Sequence, residues 1–225
     1  MKTIVITGSS DGIGKALVHQ LYKEYKIIAL GRNVEKMKKL KEECPLIIDY
    51  TFDLTNQQEL YQCIQTIKEQ HKVDILINNA GANVKKEMVI HQNIDEFNYM
   101  MQLNCISPLI LMQEFAKEMI QNKKGHIINV LSTCCLFDNV TMSGYTASKK
   151  AFEAFSKALT KEIKEYNVFV TNIYPGGTNT NFRAIERLDY LNPTTVAKAI
   201  QNVLAMPNDG CIQDLVLRPL VENNY

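Results

Sequence analysis

Thr3-Ile4-Val5-Ile6-Thr7-Gly8-Ser9-Ser10-Asp11-Gly12-Ile13-Gly14, with the residues just after it, decides the fold. Thr3 to Thr7 is a short β-branched run, which favours an extended strand. Ile13, Leu17 and Leu21 then recur at i+4 spacing, which predicts an amphipathic helix. Between the two stand Gly8, Gly12 and Gly14, spaced Gly-x3-Gly-x-Gly. Glycine here permits a tight turn, a close approach of backbone to a ligand, and a helix packed directly on its strand. The unit is strand, glycine turn, helix.

The alternation continues along the chain. Lys26 to Leu30 is a second apolar run ending at Gly31-Arg32-Asn33, and the charged stretch Lys36 to Glu43 is helix-prone. Leu46 to Tyr50 reads as a third strand, after Asp53-Leu54 comes a helix that Thr55 is expected to cap with Gln58, and Val73 to Ile77 is a fourth strand ending in Asn78-Asn79-Ala80-Gly81. A long helix is expected from about Asp95 to Gln121, with Pro108 its only interruption. His126 to Leu131, a helix over Ser143 to Glu165, and Val168 to Tyr174 follow, the last ending at Pro175-Gly176-Gly177. Asn192 and Pro193 are expected as N-cap and first residue of a helix to about Ala205, before a last strand from Ile212 to Leu217. Near-continuous apolar strands alternating with helices indicate an α/β protein, a doubly wound parallel sheet of about seven strands with helices on both faces. No repeat, linker or low-complexity tract divides it, so residues 1–225 read as a single domain.

Composition narrows the partners. Of the 225 residues, 46% are hydrophobic and 22% charged, which suits a well-formed core and excludes disordered and collagen-like classes. Lys+Arg 25 against Asp+Glu 24 gives a formal charge of +1, so neither a nucleic acid nor a membrane surface is the expected partner; a small molecule is. No apolar run approaches the roughly 20 residues that cross a bilayer, and Met1 leads straight into the first strand, which together predict a cytoplasmic protein. Cys44, Cys63, Cys105 and Cys211 are scattered and Cys134-Cys135 adjacent, neither a zinc nor a CxxC redox spacing. They read as reduced, small hydrophobes, and no metal site is expected.

In a sheet of this kind a pyrophosphate sits beyond the strand ends, on the N-terminus of the first helix, where Gly8, Gly12 and Gly14 lie. The end of the second strand distinguishes the two nicotinamide dinucleotides, because an acid there holds a ribose hydroxyl and repels a 2'-phosphate. Arg32 occupies that end, and its guanidinium favours NADP(H) over NAD(H), with Asp11 adding opposing charge nearby. Tyr145 and Lys149, four residues apart in a helical stretch, fall on one helix face. An ammonium beside a phenol favours the phenolate, bringing a group of ordinary pKa about 10 nearer to neutral proton exchange.

Thr7-Gly8-x3-Gly12-x-Gly14, Asn78-Asn79-Ala80-Gly81, Ser132, Tyr145-x3-Lys149 and Pro175-Gly176, in that order, resemble the short-chain dehydrogenase/reductase family over nearly the whole chain. The resemblance implies a Rossmann fold and hydride transfer between NADP(H) and a carbonyl or alcohol. It makes Asn104, Ser132, Tyr145 and Lys149 the catalytic residues: Tyr145 trades a proton with the substrate oxygen, Lys149 keeps the phenol acidic and binds the nicotinamide ribose, and Ser132 hydrogen-bonds that oxygen. Asn104 permits a separate physical argument, since Pro108 has no N–H to offer its carbonyl. An ordered water is expected there, relaying protons from Lys149.

For the cofactor the resemblance points to Gly8, Ser10, Gly12, Ile13, Gly14, Arg32, Asp53, Leu54, Asn79, Ala80, Gly81, Tyr145, Lys149, Pro175, Gly176, Thr178 and Thr180. Asp53 would meet the adenine and Thr180 the nicotinamide side, while Thr178 departs from a usually apolar position. Ser143 and Gly144 are expected to cap the catalytic helix. Thr133, Cys134, Phe137, Val140, Gly177 and Phe182 are candidates to face the substrate, with Arg183 and Arg187 able to reach in if their segment folds over. Small ketones, 3-oxo acids and sugar-like carbonyls fit such a pocket. A homo-oligomer, dimer or tetramer, is implied. The competing class is a catalytically silent NAD(P)-binding regulator or scaffold, since fold alone does not establish activity.

Overall fold

Seven parallel strands in the order β3-β2-β1-β4-β5-β6-β7 form the backbone of the computed structural model, which describes residues 1–182, 186–207 and 209–223. They are β1 (Thr3–Thr7), β2 (Lys26–Gly31), β3 (Ile48–Thr51), β4 (Ile75–Asn78), β5 (Gly125–Val130), β6 (Val168–Pro175) and β7 (Asp214–Leu217). The order reverses between β1 and β4, and a doubly wound sheet leaves its ligand crevice at such a switch point. Strands β1, β2, β4, β5 and β6 are buried almost throughout, which is why their apolar runs do not alternate.

Helices α1 (Gly12–Leu21), α2 (Val34–Glu43) and α7 (Pro193–Leu204) cover one face, burying Leu17, Val18, Leu21, Met37, Leu40, Val196 and Ile200. Helices α3 (Gln57–Gln70), α4 (Ile94–Met101), α5 (Ser107–Gln121) and α6 (Ser143–Ile163) belong to the other, around Leu60, Ile64, Met100, Leu111, Phe115 and Phe152. All six cysteines are free thiols, five of them buried. Among the described residues no helix is long and apolar enough to cross a membrane.

Three local expectations are corrected. The α3 cap is Asn56, not Thr55: Glu59 N–H donates to Asn56 Oδ1 at 3.3 Å, and Asn56 Nδ2 donates to Glu59 Oε1 at 2.7 Å. Thr55 instead binds Asp53 Oδ1 through both its N–H and its hydroxyl. Helix α6 has Met142 at its N-cap, and Ser143 and Gly144 are already helical. The long helix is broken before Pro108, by a π turn over Gln102–Ile106 in which Ser107 N–H reaches back to the Gln102 carbonyl. Pro108 then lies in the first turn of α5, where its missing N–H costs nothing. The buried Ser107 hydroxyl also sits 2.8 Å from the Gln102 and Leu54 carbonyl oxygens.

Beneath α6 runs a buried polar chain across the sheet. Asn78 Nδ2 donates to Asn129 Oδ1 at 2.9 Å, Asn129 Nδ2 to Ser156 Oγ at 2.8 Å, Ser156 Oγ to Asn172 Oδ1 at 2.5 Å and Asn172 Nδ2 to Asp214 Oδ1 at 3.0 Å. Tyr174 joins Glu153 on α6 at 2.9 Å. Such a chain links α6 to strands β4 to β7 through directional side-chain hydrogen bonds, and so restricts its depth and rotation on the sheet.

Candidate active site

The cleft opens at the switch point. Gly8 has φ +66°, and a Cβ on it would lie 2.9 Å from Ala80 Cα. A Cβ on Gly14 would lie 2.1 Å from the Gly8 carbonyl oxygen, so α1 can pack on the turn only because residue 14 is glycine. Thr7 Oγ1 accepts the N–H groups of Asn79 and Ala80 at 2.9 Å each, and Asn79 Nδ2 returns a bond to Thr7 O at 2.9 Å. These bonds lock the ends of β1 and β4 together as one floor.

The cavity above this floor has a volume of about 690 Å³ and joins the predicted cofactor residues, Gly14 excepted, with Ser132, Tyr145 and Lys149; Gly14 lies behind the turn, packed on Gly8. Asn104 stands behind its wall. Its Oδ1 accepts from Ala82 N–H at 2.9 Å, and its Nδ2 donates to Ala82 O at 2.8 Å and to Ser148 Oγ at 2.9 Å. The π turn thereby ties the loop after β4 to α6, one residue from Lys149. A Cβ on Gly81 would meet Asn104 Oδ1 at 3.1 Å and Lys149 Nζ at 3.2 Å, so that loop passes directly over both.

Lys149 is buried and donates to the Val130 carbonyl at 2.9 Å. Burial pushes its pKa below the ordinary lysine value, partly offset by the Cys135 and Cys134 thiols. Tyr145 is almost enclosed, with the Phe182 ring edge-on to it at 5.7 Å. Ser132 Oγ accepts Cys134 N–H at 3.2 Å, capping the short helix Thr133–Cys135. Cys134 lines the cleft, and its thiol is pulled below the ordinary cysteine value, chiefly by a hydrogen bond with Cys135, against burial and with help from Ser132 and Lys149; the Cys135 thiol is pushed up in turn.

At the far end Arg32 is exposed, its Nη1 2.5 Å from Tyr99 Oη and 3.6 Å from Asp53 Oδ2. Burial raises the Asp53 carboxyl, but the Thr55 hydrogen bonds and Arg32 outweigh it and hold the pKa below its usual value. Asp11 caps α1 by accepting Gly12 N–H at 2.7 Å and is paired with Lys36. Burial would raise that carboxyl too; Lys36, Asn181 and the Gly12 N–H bring it below normal. Asp11 therefore meets the cleft as a neutralised charge.

Thr180 packs against Gly12, where a Cβ would come within 3.1 Å of its methyl, so it overhangs the helix N-terminus. Thr178 turns its hydroxyl back to Gly176 O at 3.1 Å. Of the substrate-facing candidates, Thr133, Cys134, Gly177 and Phe182 line the cleft, whereas Val140 is 89% exposed and Phe137 packs under Arg218 at 4.8 Å. Arg187 is engaged by Asp189 and stacked on Tyr190, and Arg183 lies outside the described residues. Lys36, Asn181, Tyr190 and Glu222 also line the cleft without having been singled out. Only Lys36, one helical turn after Arg32 on a charged helix, left a readable signal.

The sequence pattern of the short chain dehydrogenase family matches residues 2–190. The chain is 28% identical over 228 residues to an uncharacterized oxidoreductase of Staphylococcus aureus, covering 97% of both, and 31% identical over 213 residues to a 3-oxoacyl-[acyl-carrier-protein] reductase of Rickettsia felis, covering 92% of this chain and 85% of that one. Among solved structures, the closed form of a serine dehydrogenase complexed with NADP+ superposes with a TM-score of 0.92 at 24% identity over 98% of this chain and 96% of the other. An alcohol dehydrogenase of Thermococcus sibiricus with 5-hydroxy-NADP gives 0.91 at 22%, covering 100% and 99%. With the cleft, the glycine turn and the match over most of its length in agreement, the chain belongs to the short-chain dehydrogenase family and is an NAD(P)-dependent oxidoreductase.

Proposed function

We propose that the protein reduces a small ketone or 3-oxo compound with NADPH and runs the reverse oxidation, with Tyr145 as general acid and base. One observation carries this reading: Ser132, Tyr145 and Lys149 share a wall of the same cleft whose floor is the Gly8 turn. The cleft suits a dinucleotide, because Gly8, Ser10, Gly12 and Ile13 line it where the turn after β1 leads into the N-terminus of α1, a helix end that favours a phosphate. When bound, the nicotinamide supplies or accepts the hydride. Tyr145 gives its phenolic proton to the carbonyl oxygen, and Ser132 donates a hydrogen bond to that oxygen as charge develops. Lys149, buried and held by Val130 O, keeps positive charge beside the phenol and stabilises the phenolate left behind.

Arg32 at the end of β2 supports NADP(H) over NAD(H), since it is exposed and able to take a 2'-phosphate. Pairing of Asp11 with Lys36 offsets one opposing charge in the cleft, and Asp53 is offset by Arg32 itself. Solved relatives carrying NADP+ and 5-hydroxy-NADP lean the same way. The names of the relatives, a 3-oxoacyl reductase and a serine dehydrogenase, support 3-oxo or 3-hydroxy compounds as substrates. The test is a panel of small ketones, 3-oxo esters and 3-oxo acids assayed with NADPH and NADH in parallel. Turnover of at least one with clearly higher kcat/KM for NADPH is expected; an NADH preference overturns the cofactor reading.

A further inference from the structure

Glu222 lies beyond the stretch shared with the family pattern, yet its carboxylate is part of the cleft wall. Strand β7 pairs with β6 so that Pro175 stands opposite Leu217, and Gly176 N–H donates to Leu217 O at 2.7 Å. After Pro219 the chain turns back, Glu222 N–H bonding Pro219 O at 3.2 Å. This brings Glu222 Oε1 to 2.7 Å from Gly177 N, whose N–H it accepts. The other oxygen presses on the neighbouring residue: a Cβ on Gly176 would lie 2.4 Å from Glu222 Oε2. Arg218 pairs with that Oε2 at 3.5 Å and stacks on the Phe137 ring, both charged side chains being largely shielded from solvent.

Two successive glycines carry no side chain to fix their own conformation. Here both N–H groups of the Gly176–Gly177 turn are taken by the C-terminal segment, one by a main-chain carbonyl and one by a carboxylate, and the charged acceptor makes the stronger bond. We infer that Glu222, held in place by Arg218, is a positioning residue for the Pro175–Gly177 turn and hence for the nicotinamide end of the cofactor. The inference rests on the cofactor reading above. Its consequence is confined to one half of the ligand, because Arg32 and Asp53, at the far end of the cleft, would hold the adenosine end.

The experiment measures affinities for NADPH and for 2',5'-ADP, its adenosine half, by titration calorimetry on the whole protein. Glu222→Ala should weaken NADPH about tenfold or more, as expected for losing a charge-assisted hydrogen bond, and leave 2',5'-ADP within about twofold. Glu222→Gln keeps an acceptor for Gly177 N–H and should stay nearer to wild type for NADPH. Unchanged NADPH affinity in Glu222→Ala overturns the inference, and so does equal weakening of both ligands, the mark of a merely structural residue. Should Glu222→Ala not fold, Arg218→Met makes the same test through the partner, with selective loss of NADPH expected and equal loss contradicting it. A wild-type protein that binds neither ligand overturns the cofactor reading and this inference with it.

Discussion

Lys149 is an ionisable side chain buried at the cleft wall, and burial works against its charged form. It donates a hydrogen bond to the Val130 carbonyl, and burial lowers its pKa from the ordinary value of 10.5. A lysine whose folded pKa is depressed binds fewer protons in the folded than in the unfolded state, so stability rises with pH between the two values. Lys149→Met should therefore abolish most turnover while raising Tm at pH 7, and the gain should shrink as pH approaches 10.5. Thermal unfolding of both proteins at pH 7 and pH 10 checks this; a Tm difference of the same size at both values contradicts the charge-burial explanation. The four-residue spacing of Tyr145 and Lys149 was readable because it lies within one helix. Glu222 and Tyr190 were not readable, because they reach the cleft through contacts with Gly177 that no local pattern encodes.

At the scale of elements, the junction of α4, the π turn and α5 does more than bend a helix. Helical periodicity runs through it, which is why one long helix interrupted only at Pro108 was expected, and the missing N–H of Pro108 was the only trace of the break. The wider turn presents Asn104 side-on, with Oδ1 and Nδ2 committed to Ala82 and Ser148. Ser148 Oγ in turn bonds Tyr145 O at 2.7 Å, so Asn104 steadies the helix turn that bears Tyr145 and Lys149. Asn104→Ala leaves the Ala82 groups without these partners and should cost about 1–3 kcal/mol of stability, with reduced kcat. Urea unfolding with a parallel turnover assay checks it; full stability would mean that the clamp is dispensable. The one-residue shift of the α3 cap, from Thr55 to Asn56, has the same lesson: Asp53 competes for Thr55, and sequence spacing alone does not show which bond wins.

For the whole molecule, the strand order places every long-range piece of the site on one edge of the sheet. The glycine turn follows β1, Arg32 follows β2, Asn79 to Gly81 follow β4, Ser132 follows β5 and Gly176 follows β6, so the alternation of strands and helices already collects them at the carboxyl ends. That much was legible from the chain, because a buried parallel sheet leaves near-continuous apolar runs with the special residues at their ends. Closure of the cleft by Phe182, Tyr190 and Glu222 was not, since it depends on how the segments after β6 and β7 fold back. A binding-only regulator would need the cleft and the glycine turn but not a phenol and an amine on the wall of that cleft. The most direct measurement is single-turnover NADPH oxidation by Tyr145→Phe against wild type on a ketone that the wild type reduces, with NADPH affinity determined for both. A rate lower by about 10²–10⁴-fold with affinity retained is predicted for loss of a general acid; a variant that reduces the ketone at near wild-type rate would contradict proton donation by Tyr145.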